Sequence, residues 1–208
     1  MKSYLRFLSR NKLYTAIEVV GLSLALAFVI PMICFYTNIA RISKGHENYK
    51  NIYSLCVDYV QVSSPGFGDF LKERVPEIDK VTSPILNNVW YDIENTNRKI
   101  HYVDKDFFYF FPAKFSKGGI DFLDTPNSIA VSKEFADYLA KSGPVIGREI
   151  DHNSNRYIVN AVFDEYGSNV LSGCDILMNN EAIRKSGHND NIYGHRGSMT
   201  FFSVNPSA

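Results

Sequence analysis

The side chains able to do chemistry are few and scattered. His188 and His195 sit with Asp190 in a polar stretch around Asn189 to Gly197, donors that could bind a metal, but their spacing fits no ligand pattern. They read as solvated loop histidines. His46, His101 and His152 stand singly. Of the three cysteines, Cys34 lies in an apolar run, leaving Cys56 and Cys174 as the one pair available outside it. A bridge between them stays open, although two strand cysteines need compatible geometry and free thiols are the favoured reading. No Ser or Cys occupies a nucleophile elbow. No glycine-rich loop ends in Lys-Ser or Lys-Thr, and Gly66-Phe67-Gly68 is too short to cradle a phosphate. No catalytic residue, cofactor site or metal site is expected, and hydrolysis of ATP is not expected of this chain itself.

Composition narrows the class further. The 22 basic residues balance 22 acidic ones over 208 residues, which gives no support for nucleic-acid binding. The first forty residues are of another kind. Lys2, Arg6, Arg10 and Lys12 come without an acidic residue and precede an apolar run from Leu13 to Ala40. As a helix that run would extend ~42 Å, beyond the ~20 residues a bilayer core needs. No small-x-small cleavage site follows Thr37, so an uncleaved transmembrane helix is expected. The basic start places the N-terminus in the cytoplasm, a bias diluted by Arg41, Lys44 and Lys50.

Three residues interrupt the apolar pattern. Glu18 lies about one turn inside the run, where it reads as a snorkelling interfacial acid within reach of Arg10 or Lys12. Gly21, with Ser23, Ala25 and Ala27, offers a small face for close helix approach. Pro31 lacks the amide that would bond to the Ala27 carbonyl, so a kink is expected there.

The remaining residues, about 165 in number, suffice for one domain or two lobes sharing a core. Asn51 to Val62 reads as a strand, closed by Pro65 and Gly66. An amphipathic helix follows from Phe67 to Val75. Strands are expected at Ile78 to Leu86, Val89 to Ile93 and Lys99 to Val103, the last two forming a hairpin through Glu94 to Asn97. Asp104 is a fair N-cap for a short helix carrying Phe107, Phe108, Phe110 and Phe111, an aromatic cluster best read as core. Ser128 to Val131 is a strand, and Ser132 caps a helix from Lys133 to Lys141. Arg148 to Ile150 and Tyr157 to Phe163 form a second hairpin across Asp151 to Asn155. Ile176 to Met178 and Thr200 to Val204 are the final strands, and the ending reads as a chain cut inside a domain.

Taken in order, these segments resemble one family. Arg10 to Ile17 (Arg-Asn-Lys-Leu-Tyr-Thr-Ala-Ile) and Val20 to Ala25 (Val-Gly-Leu-Ser-Leu-Ala) are similar to the opening of Bacteroidetes permeases of the MacB/FtsX-like ABC transporter family. His46 to Tyr53, Val75 to Ile78, Tyr102 to Phe108, Asn127 to Ser132, Pro144 to Ile150 and Tyr157 to Asp164 match later blocks in the same order. Each block alone is weak, while their succession is specific.

The resemblance implies an α+β chain. It would have a cytoplasmic basic N-terminus at 1–12, a transmembrane helix and stalk at 13–40, and an extracytoplasmic MacB-like periplasmic core domain, incomplete, at 41–208. That domain would be two-lobed and mixed α/β, with a porter-like and an inserted lobe. The implied role is that of a permease fragment in the bacterial inner membrane. It would couple ATP hydrolysis by a cytoplasmic ABC ATPase subunit to movement of the extracytoplasmic domain, in efflux, export or envelope signalling. The implied partners are that ATPase, a second permease copy or homologous half, a periplasmic adaptor and membrane lipid, with no nucleic acid. A single-pass membrane-anchored sensor or adhesion module is the alternative.

Overall fold

In a computed structural model, residues 11–44, 51–56, 63–64, 66–125, 127–166, 173–180 and 198–205 are described. The chain divides into two compact units, Met1–Lys44 and Gly45–Ala208. Among the described residues the first contains helix α1 (Lys12–Lys44), which continues through Pro31. Proline removes one backbone bond there without ending the helix. The stretch Lys12–Thr37 is long and apolar enough to cross a membrane, and its large apolar side chains are exposed. Its hydroxyls are satisfied within the helix: Ser23 Oγ donates to the Val19 carbonyl at 2.7 Å and Thr37 Oγ1 to the Ile33 carbonyl at 2.9 Å. Such back-bonding lets a hydroxyl reside where no water reaches it.

The second unit is α+β and built on two sheets. Strands β1 (Ile52–Ser54), β2 (Ile78–Thr82) and β10 (Phe201–Val204) form a three-stranded antiparallel sheet in the order β1-β10-β2. Helix α2 (Phe67–Arg74) connects β1 to β2 and packs on β2, where Gly68 lies so close to Val81 and Ser83 that a side chain would collide with the Ser83 hydroxyl. Inserted between β2 and β10 is a seven-stranded mixed sheet. Its strands are β3 (Ile85–Ile93), β4 (Thr96–Val103), β5 (Ala113–Lys117), β6 (Ser128–Ser132), β7 (Glu149–His152), β8 (Asn155–Tyr166) and β9 (Ile176–Asn179).

Both expected hairpins are present, with tighter turns than the polar stretches suggested. Ile93 pairs with Thr96, and His152 with Asn155, so each loop is two residues long. Glu94 and Asn95 take φ of 52° and 59°, and Asn153 and Ser154 take 49° and 62°. Positive φ at both loop positions is the type I′ conformation that matches strand twist. The expected strand from Ile78 to Leu86 is in fact two, because Ser83 and Pro84 carry the chain from the smaller sheet to the larger. Of the strand expected over Asn51 to Val62, the structure describes Ile52–Ser54, and residues 57–62 lie outside the described residues.

The larger sheet is buried on both faces. Along β6, Ile129 and Val131 enter one apolar cluster and Ala130 the other; along β9, Ile176 and Met178 oppose Leu177 in the same way. Successive side chains of a strand point to opposite faces, so two-sided burial turns an alternating pattern into a continuous apolar run. Helix α4 (Lys133–Leu139), capped by Ser132 Oγ on the Phe135 amide at 3.2 Å, supplies Phe135 and Leu139 to the first cluster. It also provides the crossover that the parallel pair β6 and β8 requires. The second cluster is aromatic, built on helix α3 (Phe107–Phe110) with Phe107, Phe108, Phe110 and Phe111, together with Phe122 and Phe163. It is core, as expected. Strand β5, absent from the sequence expectations, pairs with β8 and has two register shifts.

Gly118 closes β5 at φ +65°, and a β-carbon there would collide with the Asn160 carbonyl and Ala161. Gly118→Ala should therefore cost about 2 kcal/mol or more in urea unfolding of the chain. Gly119→Ala is the control, since its surroundings are open and its backbone extended. Equal losses at the two positions would contradict the collision.

Candidate functional site

The polar chemistry of the domain converges where the two sheets meet. At the end of β4 the segment Asp104-Lys105-Asp106 turns into α3, and Asp104 does more than cap that helix. Its Oδ1 accepts from the Phe107 amide at 2.8 Å, while the Thr82 hydroxyl lies 2.9 Å from both carboxylate oxygens. Oδ2 also accepts from the Ser83 amide at 3.3 Å. Thr82 and Ser83 end the smaller sheet, so one carboxylate holds the crossing between sheets against the start of α3. Burial pushes the Asp104 carboxyl above the ordinary range, opposed by these donors.

Asp106 receives the second set of contacts. Lys80 of β2 bonds to it at 3.1 Å and Lys72 of α2 lies 3.8 Å away. That bond with Asp106 raises the Lys80 amine above its usual value. Lys105 pairs with Asp124 beside them. Behind this surface lies a buried chain of hydroxyls: Ser63 Oγ is 2.7 Å from Thr200 Oγ1, which is 2.9 Å from Ser83 Oγ, and Ser198 Oγ donates to the Ser83 carbonyl at 3.2 Å. Asn180 completes it. Its Nδ2 donates to the Ser83 carbonyl at 3.1 Å, and its buried Oδ1 has no hydrogen-bond partner among the described residues.

A cleft of about 530 Å³ opens over this junction, bounded by Asp69 and Lys72 of α2, Ser83, Asp104 to Asp106, Asp124, and Asn179 and Asn180. Its lining mixes both charges. Among the described residues, no group of three or more His, Cys, Asp or Glu side chains is placed to hold a metal. What the arrangement offers among the described residues is a polar joint between the two sheets.

The residues singled out in sequence fall elsewhere. Glu18, Gly21 and Pro31 lie on α1 with exposed side chains, and no atom would meet a β-carbon at Gly21. His46, His188, Asp190 and His195 lie outside the described residues. His101 and His152 are both buried and separately placed, His152 edge-on to the Tyr91 ring at 4.9 Å. Among the described residues no disulfide joins Cys56, which is exposed, to Cys174, which is buried with its Sγ 3.1 Å from the Ile176 carbonyl. The joint itself was missed by sequence reasoning, apart from Asp104 as a cap. Its one signal is Thr82-Ser83-Pro84, polar and proline-broken inside a run taken as a single strand.

The fold is thus a helix long and apolar enough to cross a membrane, followed by an α+β domain in which one sheet is inserted into another. The chain belongs to the MacB-like periplasmic core domain family, whose model matches residues 15–208. Solved structures agree on the fold. A domain of a candidate permease protein from Porphyromonas gingivalis superposes with a TM-score of 0.59 at 17% identity, covering 72% of this chain and 65% of that one. The periplasmic region of MacB from Actinobacillus actinomycetemcomitans gives 0.53 at 11%, over 79% of this chain and 81% of that one. The extracellular domain of the noncanonic ABC-type transporter YknZ from Gram-positive bacteria gives 0.51 at 11%, over 75% and 83%. A comparison with curated proteins finds no match.

His101 gives the domain an acid limit. It lies on β4 in register with Leu86 and Leu177, 4% exposed, and its Nδ1 has no partner among the described residues. Burial, then the charge of Lys99, lowers its pKa from 6.5 to about 4, with Asp175 opposing. The unfolded chain therefore binds the extra proton first, and stability is lost as pH falls from about 6.5 towards 4. Burial lowers His152 too, acting in the same direction, whereas the raised Asp104 opposes them at the acid end. Urea unfolding at pH 7 and pH 4.5 should differ by about 2 kcal/mol more in the wild type than in His101→Leu. An identical acid loss in the variant would place the sensitivity elsewhere.

Proposed function

We propose that this chain is the N-terminal part of a permease subunit of an ABC transporter. In this reading it carries ATP-driven movement from the membrane into the extracytoplasmic domain. The observation that carries it is topological. Strand β1, the first after α1, lies in the small sheet beside β10, and the whole seven-stranded sheet is inserted between β2 and β10. Displacement of α1 along its axis would enter the domain at β1 and pass directly to β10 through their antiparallel bonds. The inserted sheet, packed on both faces, would move as a body.

The membrane helix fits the same role. Lys12 sits at its cytoplasmic end, with Glu18 near enough to the interface to remain hydrated. Gly21 with Ser23, Ala25 and Ala27 provides a face for another membrane helix, and Pro31 a point at which the helix can bend. The partners on this reading are a cytoplasmic ABC ATPase subunit and a second permease copy or homologous half, with lipid around α1 and a periplasmic adaptor on the outer domain. The location is the bacterial inner membrane, N-terminus cytoplasmic and main domain periplasmic. Substrate would be moved by the rearranging outer domains, in efflux, export or envelope signalling.

An antibody raised against residues 45–208 should detect, in source-cell membranes, a product much larger than this chain that co-purifies with an ATPase. A band of this chain's own size without an ATPase would instead favour a single-pass sensor or adhesion module. In the intact permease, Pro31→Ala should lower transport or signalling at least several-fold while leaving membrane insertion at the wild-type level. Equal loss of both would remove the bend from the mechanism.

A further inference from the structure

Ile52 and Phe201 of the small sheet pack against the second apolar cluster of the large sheet, while the other side of the seam between the sheets is polar. Thr82, Ser83, Ser63, Ser198, Thr200 and Asn180 are all buried there, joined to one another and to Asp104 by hydrogen bonds of 2.7–3.4 Å. Bonds of this kind can be exchanged for bonds to water at small net cost, whereas interdigitated apolar packing cannot. Asn180 Oδ1 is the telling atom. Among the described residues it is a buried acceptor without a partner, an energetic debt that admission of water would relieve.

Beside the Met199 amide bond to the Pro84 carbonyl and the Asn180 bond to the Ser83 carbonyl, the carboxylate contacts across the seam come from one short segment. Asp104 takes Thr82 and Ser83 from the small sheet, and Asp106 takes Lys80 from β2 and Lys72 from α2. The Lys72 pair, at 3.8 Å, is loose, and the polar cleft lies directly over it. One aromatic contact, Phe111 edge-on to Phe201 at 4.9 Å, links the second cluster to β10 on the apolar side. A polar latch, an apolar pivot and a proline-stiffened crossing at Ser83-Pro84 are the parts of a hinge.

We propose that the Asp104–Asp106 segment is a latch, and that the seven-stranded sheet swings on the small sheet when it releases. In the state described here the latch is closed. Release would free Thr82 and Ser83 from Asp104 and let water reach Asn180. The proposal names where the domain yields, and rests on the transmission reading only for the source of the motion.

The test uses the full 208-residue chain in lipid nanodiscs. Spin labels at Glu73→Cys on α2 and Glu134→Cys on α4, with Cys34, Cys56 and Cys174 replaced by alanine, report the distance between the sheets. Thr82→Val keeps the side-chain shape and removes the bridging hydroxyl. It should raise the population at a second distance by about tenfold. Amide hydrogen exchange on the chain with its native cysteines should show the same in parallel. The amides of Ser83 and Met199, which bond to Asp104 and to the Pro84 carbonyl, should exchange about tenfold faster in the variant while those of Ile129 and Val159 keep their protection. One unchanged distance with unchanged exchange at Ser83 would overturn the hinge, as would faster exchange at Ile129 and Val159 to the same extent. Failure of the transmission reading looks different: two distances would persist, but in the intact permease their ratio would ignore nucleotide.

Discussion

The carboxylate of Asp104 is the interaction on which the architecture of this domain turns. It follows strand β4, starts the aromatic helix α3, and holds the Thr82-Ser83 crossing between sheets. The Phe107 amide, the Ser83 amide and the Thr82 hydroxyl would otherwise be polar donors withdrawn from water, each at a cost larger than a hydrogen bond's net gain. Satisfying all three with one anion is economical in space, and hydrogen bonds to a charged acceptor are about twice as strong as neutral ones. The upward push of burial on Asp104 is the opposing term, and the three donors keep it in check.

From that anchor the two faces of the large sheet follow. Asp104 fixes where α3 begins, which sets Phe107 and Phe110 into the second cluster, both almost fully buried. On the opposite face the crossover helix α4 is fixed by its Ser132 cap and by Arg98. That guanidinium pairs with Asp175 at 3.1 Å and lies 4.5 Å over the Phe135 ring. With only 13% and 14% side-chain exposure the Arg98–Asp175 pair is poorly screened, and the Lys99 amide adds a bond to the same carboxylate at 2.9 Å. Such a pair specifies which ends of β4 and β9 meet, and so the parallel register of Ile100 with Ile176.

How much of this was legible in the residues depends on the range of the interaction. Local signals were readable: the apolar run of α1, the Ser132 cap, the Phe-rich α3 limited by Pro112, and both hairpins. The turns were read too long, because Glu94 and Ser154 are unusual at positions of positive φ and their neighbours are equally polar. Strand β5 escaped notice because Lys114 and Lys117 on an edge strand look like loop residues, and its pairing with β8 is set at long range. The division of Ile78 to Leu86 between two sheets was hidden for the same reason: only Asp104, some twenty residues on, reveals why Ser83 and Pro84 are there. Of the joint, the sequence could offer a cap and no more, since Ser63, Ser83, Ser198 and Thr200 meet only after folding. The candidate residues on α1 are readable as chemistry, but what they touch is a matter of neighbours in a membrane.

On the reading proposed above, this distribution of polar groups suits a domain that carries force. Catalysis asks for unpaired, perturbed groups converging on an accessible point, while here Asp104, Asp106, Lys80 and Lys105 are each engaged with another residue of the chain. Force transmission asks instead for stiff bodies and a few exchangeable contacts between them. The doubly covered sheet supplies stiffness, because every displacement of a strand would open a void on one face or a clash on the other. The antiparallel β1–β10 pair supplies a short path, since backbone bonds perpendicular to the strands resist sliding until several break together. On the same reading the compliant part is the polar side of the seam, where hydroxyls and two lysines make the contacts, and strain entering at β1 would be relieved there first.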